Sequence, residues 1–243
     1  MPTAMPVYQE VFQALANAAD GRVRFHSLVR LALLVVGIIK AESCVVHRVA
    51  QKLAALGLTG AKVDSIERRL RRTMADSHLQ VEMIYHPLLR QLIDWEQMAA
   101  GQRPVVLVID ESTKEDEAHL FRVSLTYHGR AVPLAWALWK QNTKLPEGAY
   151  WDYVDGVLAA VQGLLPSGIK VTVVADSAYD IPPLIDRLTA LGWHWIVRAK
   201  DKGTMRFLDH GQREHVLGVW VRQQLRRPAS RWKARGKVFK DAG

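Results

Sequence analysis

Val105-Val106-Leu107-Val108-Ile109-Asp110-Glu111-Ser112 is a short apolar run, rich in β-branched residues, that ends on two carboxylates. Such a run reads as a strand buried on both faces. The form returns in Val171-Thr172-Val173-Val174-Ala175-Asp176-Ser177-Ala178-Tyr179, with Asp176 placed 66 residues after Asp110. Each aspartate thus follows directly on an apolar strand. Between the two, residues 120–127 alternate apolar and polar side chains, as a half-buried strand does. His128-Gly129 reads as a tight turn, and residues 131–139 as a third strand. Residues 150–165 form an amphipathic helix pattern that Pro166 and Gly168 stop. After the fourth strand, residues 169–175, comes a helix over 181–191, with Pro182 and Pro183 tolerated in its first turn. Gly192 ends it, and residues 193–199 read as a fifth strand. The order is β-β-β-α-β-α-β. Short turns make the first three strands an antiparallel meander, and crossover helices make the later strands parallel to the first. The fold class expected is α/β with a mixed sheet.

Upstream, residues 7–97 read as helical, because Gly and Pro are sparse and apolar residues recur at helical spacing. One helix covers 7–18. Another covers 29–39, with Leu31, Leu33, Leu34 and Ile38 on one side. Ser43 is positioned to cap a helix running to about Ala55, which Gly57, Thr59 and Gly60 break. Asp64 or Ser65 starts the next, with Ile66, Leu70 and Met74 expected on its inner face. That second helix carries Arg68, Arg69, Arg71 and Arg72. Helix, short Gly-containing break and basic helix together have the outline of a helix-turn-helix, whose second helix faces DNA. An exposed helix can be Arg-rich for solvation alone, so this outline is weak by itself. Further helix covers 79–98, and Gly101 to Pro104 marks a boundary. The expected organisation is an all-α region over 1–100, a mixed-sheet core over 101–200, and a basic segment over 201–243.

The 243 residues carry a net charge of +9, unevenly spread: +3 over 1–100, −1 over 101–200 and +7 over 201–243. Basic chains attract polyanions by releasing counterions. A near-neutral middle between basic ends suits a catalytic core flanked by nucleic-acid contacts, although a basic tail can equally be a solvated surface. The single cysteine, Cys44, excludes an internal disulfide framework, fits a reducing compartment, and is expected as a small buried hydrophobe. Residues 31–39 are apolar, but Lys40 ends the run far short of a membrane span. No secretory signal is visible.

Two carboxylates at the ends of neighbouring parallel strands meet at one edge of the sheet, where ligands of open α/β sheets bind. Like charges held together repel, and burying them unpaired is costly. A divalent cation resolves the conflict. Hard oxygen ligands favour Mg²⁺ or Mn²⁺, which bind substrate phosphates while keeping several waters. A pair of such ions activates an attacking water or hydroxyl and stabilises the leaving oxygen in displacement at phosphorus. For either aspartate alone, capping of a turn is the simpler account.

Ile109-Asp110-Glu111-Ser112, the meander with Leu134-Ala135-Trp136, and Val174-Ala175-Asp176-Ser177-Ala178-Tyr179-Asp180 resemble bacterial insertion-sequence transposases with a DDE triad. The kind in question has a ribonuclease-H-like core with a β-rich insertion before the final Glu. Trp195-Ile196-Val197-Arg198-Ala199-Lys200 also looks like that family's strand after the second Asp. The resemblance covers roughly residues 40–200. It implies that Asp110 and Asp176 are two members of the triad and ligands of Mg²⁺ (or Mn²⁺). It also implies an N-terminal region that binds terminal inverted repeats, and target DNA as a second partner. Self-association on DNA, Arg198 and Lys200 against phosphates, and a cytoplasmic, nucleoid-associated location follow in the same way. Tyr179 is expected to pack beneath the second Asp.

The chain departs from the family at the third carboxylate. No Tyr…Arg…Glu…Lys helix motif follows Asp176, and Glu214, 38 residues on, sits in a setting that reads as strand. The sequence therefore suggests a chain that stops inside the insertion, before the final Glu. Two functions are expected: a DNA transposase that cleaves and joins strands at insertion-sequence ends, or a truncated, inactive DNA-binding relative. Glu111 lies beside Asp110 and points to the other face of an extended strand. Glu115, Asp116 and Glu117 read as a solvated loop. Trp220 and Trp232, among basic residues, could stack on bases. The histidines show no zinc spacing, and no nucleotide-binding Gly-rich loop is present.

Overall fold

The computed structural model describes residues 4–93, 95, 104–114, 117–140, 145–179, 181–198, 205–208, 213–216, 219 and 237–240. The chain divides into two compact units, one of residues 1–102 with 162–167, the other of 103–161 with 168–243.

The first unit is helical: α1 (Ala4–Ala19), α2 (Phe25–Ala41), α3 (Val46–Ala55), α4 (Val63–Met74) and α5 (Val81–Leu92). Its apolar residues gather in two clusters. Leu15, Ala19, Val23, Leu28, Ala32 and Ile84 form one. Val49, Ala50, Leu53, Ile66 and Leu70 form the other. The expected α2 stripe is shared between them, Leu31 packing on the first and Leu33, Leu34 and Ile38 on the second. A Cβ on Gly37 would meet Val49 Cγ1 at 2.6 Å, so α2 and α3 touch closely there.

Several local expectations change. Ser43 Oγ accepts from the Val45 N–H, two residues on, and α3 starts at Val46 with no side-chain cap. The fourth helix starts at Val63, ahead of Asp64 and Ser65, and buries Ile66, Leu70 and Thr73. Met74 is exposed, because the step from Leu70 to Thr73 continues the inner stripe and Met74 falls past it. Cys44 is exposed rather than buried, since it lies in the α2–α3 connection where little packs. The last helix, expected over 79–98, runs from Val81 to Leu92 and accommodates Pro87, and the end of the expected span, residues 96–98, lies outside the described residues.

The second unit holds β1 (Val105–Lys114), β2 (Ala118–Tyr127), β3 (Arg130–Lys140), α6 (Ala149–Leu164), β4 (Val171–Ala175), a 3₁₀ turn (Ser177–Tyr179), α7 (Pro182–Ala190) and β5 (His194–Val197). The sheet order is β3-β2-β1-β4-β5. β1 is antiparallel to β2, β2 to β3, and β4 is parallel to both β1 and β5. This is a ribonuclease-H-like mixed sheet in the expected element order. His128 and Gly129 have φ of 47° and 72°, the paired positive values that a two-residue type I′ hairpin turn requires. Leu107, Phe121, Val123, Leu125, Leu134, Val173, Val154 and Leu184 lie in the core. A second sheet, order β7-β6-β8, joins β6 (Met205–Leu208), β7 (Glu214–Val216) and β8 (Lys237–Lys240). Glu214 is on one of its strands, in keeping with the extended setting read from sequence.

Candidate active site

β1 does not end at Ile109. It continues four residues beyond Asp110, because β2 pairs with it along the whole stretch to Lys114–Ala118. Asp110 is therefore inside a strand, at the point where the parallel partner β4 stops and the antiparallel partner continues. The β1–β4 ladder ends at Ile109–Ala175, so the next residues, Asp110 and Asp176, stand side by side. Adjacent strands lie about 4.8 Å apart.

The same register extends sideways. Asp110 faces Arg122 on β2, and Arg122 faces Trp136 on β3. On the other side Ala175 pairs with Val197, and the Arg198 N–H donates to the Ala175 carbonyl at 3.1 Å. One row thus crosses all five strands: Trp136, Arg122, Asp110, Asp176, Arg198. It sits at the carboxyl ends of the parallel strands, the expected ligand edge.

Within the row, Arg122 Nη2 donates to Asp110 Oδ2 at 2.6 Å, both side chains being nearly half exposed. Asp176 is exposed, and its Oδ1 accepts the Ala178 N–H at 2.7 Å. The turn-capping role is thus real, and it fixes the carboxylate at the sheet edge. Among the described residues Asp110 Oδ1 and Asp176 Oδ2 carry no hydrogen bond. The two free oxygens are hard donors of the type that Mg²⁺ accepts from one or two carboxylates. The chemistry of the donor set fits such an ion. No group of three or more His, Cys, Asp or Glu suited to a metal occurs among the described residues.

Glu111 points to the other face, as alternation requires. Its Oε1 accepts the Tyr150 hydroxyl at 2.9 Å, and its Oε2 lies 3.4 Å from His119 Nε2. His119 stacks on Trp139, and Trp139 on Tyr153, so this face is closed by α6 aromatics. Tyr179 is buried there, edge-on to Phe121, and its hydroxyl has no hydrogen-bond partner among the described residues. Burial first, then the charges of Glu111, Tyr150, Asp110 and Asp176, hold the Tyr179 phenol far above its ordinary range. Burial and Glu111 do the same to Tyr150. Tyr179 packs behind the second aspartate, as the sequence suggests. Tyr150 carries no sequence motif, and only the folded contact with Glu111 reveals it.

In the helical unit, Arg68, Arg69, Arg71 and Arg72 are all exposed on α4, but their surroundings differ. Arg71 donates to Glu67 at 2.7 Å, and Glu67 also holds His47. Arg69 and Arg72, with His26 and Arg30, line a cavity of about 370 Å³ over Leu33, Leu53 and Ile66. Arg68 and Arg72 bond only backbone carbonyls of their own helix among the described residues. Arg198 is exposed just past β5. Lys200, Trp220, Trp232 and the Glu115–Asp116 pair lie outside the described residues.

No helix among the described residues is long and apolar enough to cross a membrane. No curated protein matches the chain. Residues 154–236 match the family model described as the transposase DDE domain, a stretch that begins after Asp110 and takes in Asp176, Arg198 and Glu214. Over that third of its length, carried on a ribonuclease-H-like sheet, the chain is similar to the DDE domain of transposases.

Proposed function

We propose that the chain cleaves and joins DNA strands at the ends of an insertion sequence, with Asp110 and Asp176 as its catalytic carboxylates. The observation that carries this reading is the register that sets the two aspartates side by side where β4 ends. Between them Asp110 and Asp176 would hold Mg²⁺ or Mn²⁺, which when bound supplies charge neutralisation at phosphorus and a more acidic attacking hydroxyl. The protein's own work is positioning. β1 and β4 fix the spacing of the carboxylates, the Ala178 N–H orients Asp176, and Arg122 balances the charge of Asp110. The exposed arginines of α4 bind the terminal inverted repeats, Arg198 and Lys200 bind phosphates near the cut, and copies of the chain associate on the DNA.

The test is cleavage of a duplex carrying the flanking inverted repeats, with Mg²⁺ or Mn²⁺, and with Ca²⁺ as control. Asp110→Asn and Asp176→Asn are expected to abolish nicking and to leave a gel shift of the repeats intact. Nicking retained by both variants overturns the assignment.

A second reading is favoured by the absence of a third carboxylate in the cluster among the described residues. Here the chain binds the terminal repeats without cutting them. A wild-type protein that shifts the repeats but leaves them uncut with Mg²⁺ and Mn²⁺ supports it.

A further inference from the structure

The helical unit holds a recess that the carboxylate site does not use. A cavity of about 370 Å³ lies among α2, α3 and α4. Its walls are aliphatic: Val29 and Leu33 come from α2, Leu53 from α3, and Ile66 and Leu70 from α4. Two cations stand beside them. α4 turns Ile66, Leu70 and Thr73 inward, so Arg69 and Arg72 fall on one flank of that stripe and Arg71 on the other. Glu67 engages Arg71. The Arg69 guanidinium has no hydrogen bond or ion pair among the described residues, and that of Arg72 donates only through Nε, to the Arg68 carbonyl. Arg30, also on the wall, is held by Asp76 and Ser27, so its charge is already balanced. Thr59 Oγ1 accepts the Ala61 N–H, and its own O–H has no acceptor among the described residues. No acidic residue among the described residues lines the recess.

We propose that this recess binds a small amphipathic anion, an aliphatic carboxylate of roughly ten non-hydrogen atoms, and that the bound anion competes with DNA for Arg69 and Arg72. The volume sets the size. At about 30 Å³ per water it holds roughly a dozen waters, enough for a short alkyl chain and its head group. Water in an aliphatic recess lacks partners, so an alkyl chain that displaces it is favoured. A bare phosphate leaves the aliphatic walls wet, and a neutral alkyl chain leaves two guanidinium groups unused. A carboxylate fits the guanidinium fork through paired hydrogen bonds, and the Thr59 hydroxyl supplies a further donor. The site itself is independent of the nuclease reading of Asp110 and Asp176. The competition rests on the reading of the α4 arginines as contacts to the terminal repeats, and by linkage each ligand weakens the other by the same factor.

The experiment titrates the whole protein with octanoate by calorimetry, with 1-octanol and acetate as probes that lack the charge and the chain. Octanoate is expected to bind saturably at one site, and the other two at least about tenfold more weakly. Arg69→Gln and Arg72→Gln should each weaken octanoate roughly 3- to 10-fold, and Arg69→Lys, which keeps the charge, recovers part of the loss. Val29→Trp fills the recess without removing a cation and should abolish octanoate binding, with an unchanged thermal melt showing that it folds. Octanol or acetate binding as tightly as octanoate overturns the site. So does wild-type octanoate affinity in a folded Val29→Trp, or in both arginine-to-glutamine variants. Gel shifts of the terminal repeats with and without saturating octanoate test the competition. Octanoate should raise the wild-type Kd about tenfold, as loss of phosphate contacts does, and leave that of Val29→Trp unchanged. Equal wild-type affinity for the repeats with and without octanoate overturns the competition. If the wild type fails to shift the repeats at all while octanoate still binds and Val29→Trp blocks it, the DNA reading fails and the site stands.

Discussion

Replacing Tyr179 with Phe removes one oxygen atom from the closed face of the sheet and leaves the ring on Phe121 in place. Tyr179 is only 4% exposed, and its hydroxyl finds no partner among the described residues. A buried hydroxyl left without a hydrogen bond costs about 1–3 kcal/mol, and deleting it recovers part of that. The variant is therefore expected to gain about 1–2 kcal/mol, where most core substitutions lose stability. For a chain of this size, that is a rise in melting temperature of about 2–4 °C per kcal/mol. The charge environment gives a second, independent readout. The folded phenol is held above its ordinary value by burial and by Glu111. Its neutral form therefore adds stability that is fully present below about pH 10 and is lost as pH rises toward the folded value. Tyr150, Tyr8 and Tyr85 are shifted the same way, so an alkaline limb remains in the variant. Its slope should fall by about 1.4 kcal/mol per pH unit. Urea unfolding from neutral pH to the alkaline limit measures both quantities. A variant less stable than wild type at neutral pH would show that the hydroxyl has a partner, and the argument from an orphaned oxygen would be refuted.

Three other outcomes follow from the geometry. Gly37→Ala gains about 1 kcal/mol of helix propensity but drives a methyl to 2.6 Å from Val49 and 3.1 Å from Leu53. Overpacking of about 1–3 kcal/mol outweighs the gain, whereas Gly156→Ala, with nothing within 4 Å, should stabilise; thermal melts giving both the same sign would contradict this. On the repeats, Arg68→Gln or Arg72→Gln should each lower the salt slope by about 0.9. Arg71→Gln should lower it less, since Glu67 already engages that guanidinium, and gel shifts at several salt concentrations decide the order. Asp76 is held below its ordinary range by the His78 N–H and the Ser27 hydroxyl. It adds stability present above about pH 4 and lost as pH falls through the folded value, so Asp76→Asn should flatten acid unfolding followed by circular dichroism.

The sheet was legible from sequence because its signals are local. Two apolar runs, an alternating strand and a His-Gly turn each act over a few neighbouring residues, and crossover chirality then leaves few topologies. Element ends were less so, because they depend on distant partners. β1 outlasts Ile109 since β2 pairs with it to Lys114, and nothing in Asp110-Glu111-Ser112 announces that partner. The α4 arginines show the same limit: their number is visible in sequence, but Glu67 bridging His47 and Arg71 across two helices is not. Cys44 is exposed although free cysteines are usually buried, because a loop position overrides composition.

The site divides along the same line. Asp110 and Asp176 stood out because each ends a local apolar run. Arg122 and Trp136 did not, because Arg122 sits at a polar position of an alternating strand, where an arginine is unremarkable in sequence. Only register makes them neighbours of the carboxylates, and register is a non-local property fixed by the turn at His128-Gly129 and by the hydrophobic faces of three strands. A one-residue slip at that hairpin would turn Trp136 to the closed face and bring Ala135 or Ala137 beside Arg122. The tight turn therefore does more than connect β2 to β3. It determines whether the edge of the sheet presents two isolated carboxylates or a continuous row of aromatic, cation and anions on one face.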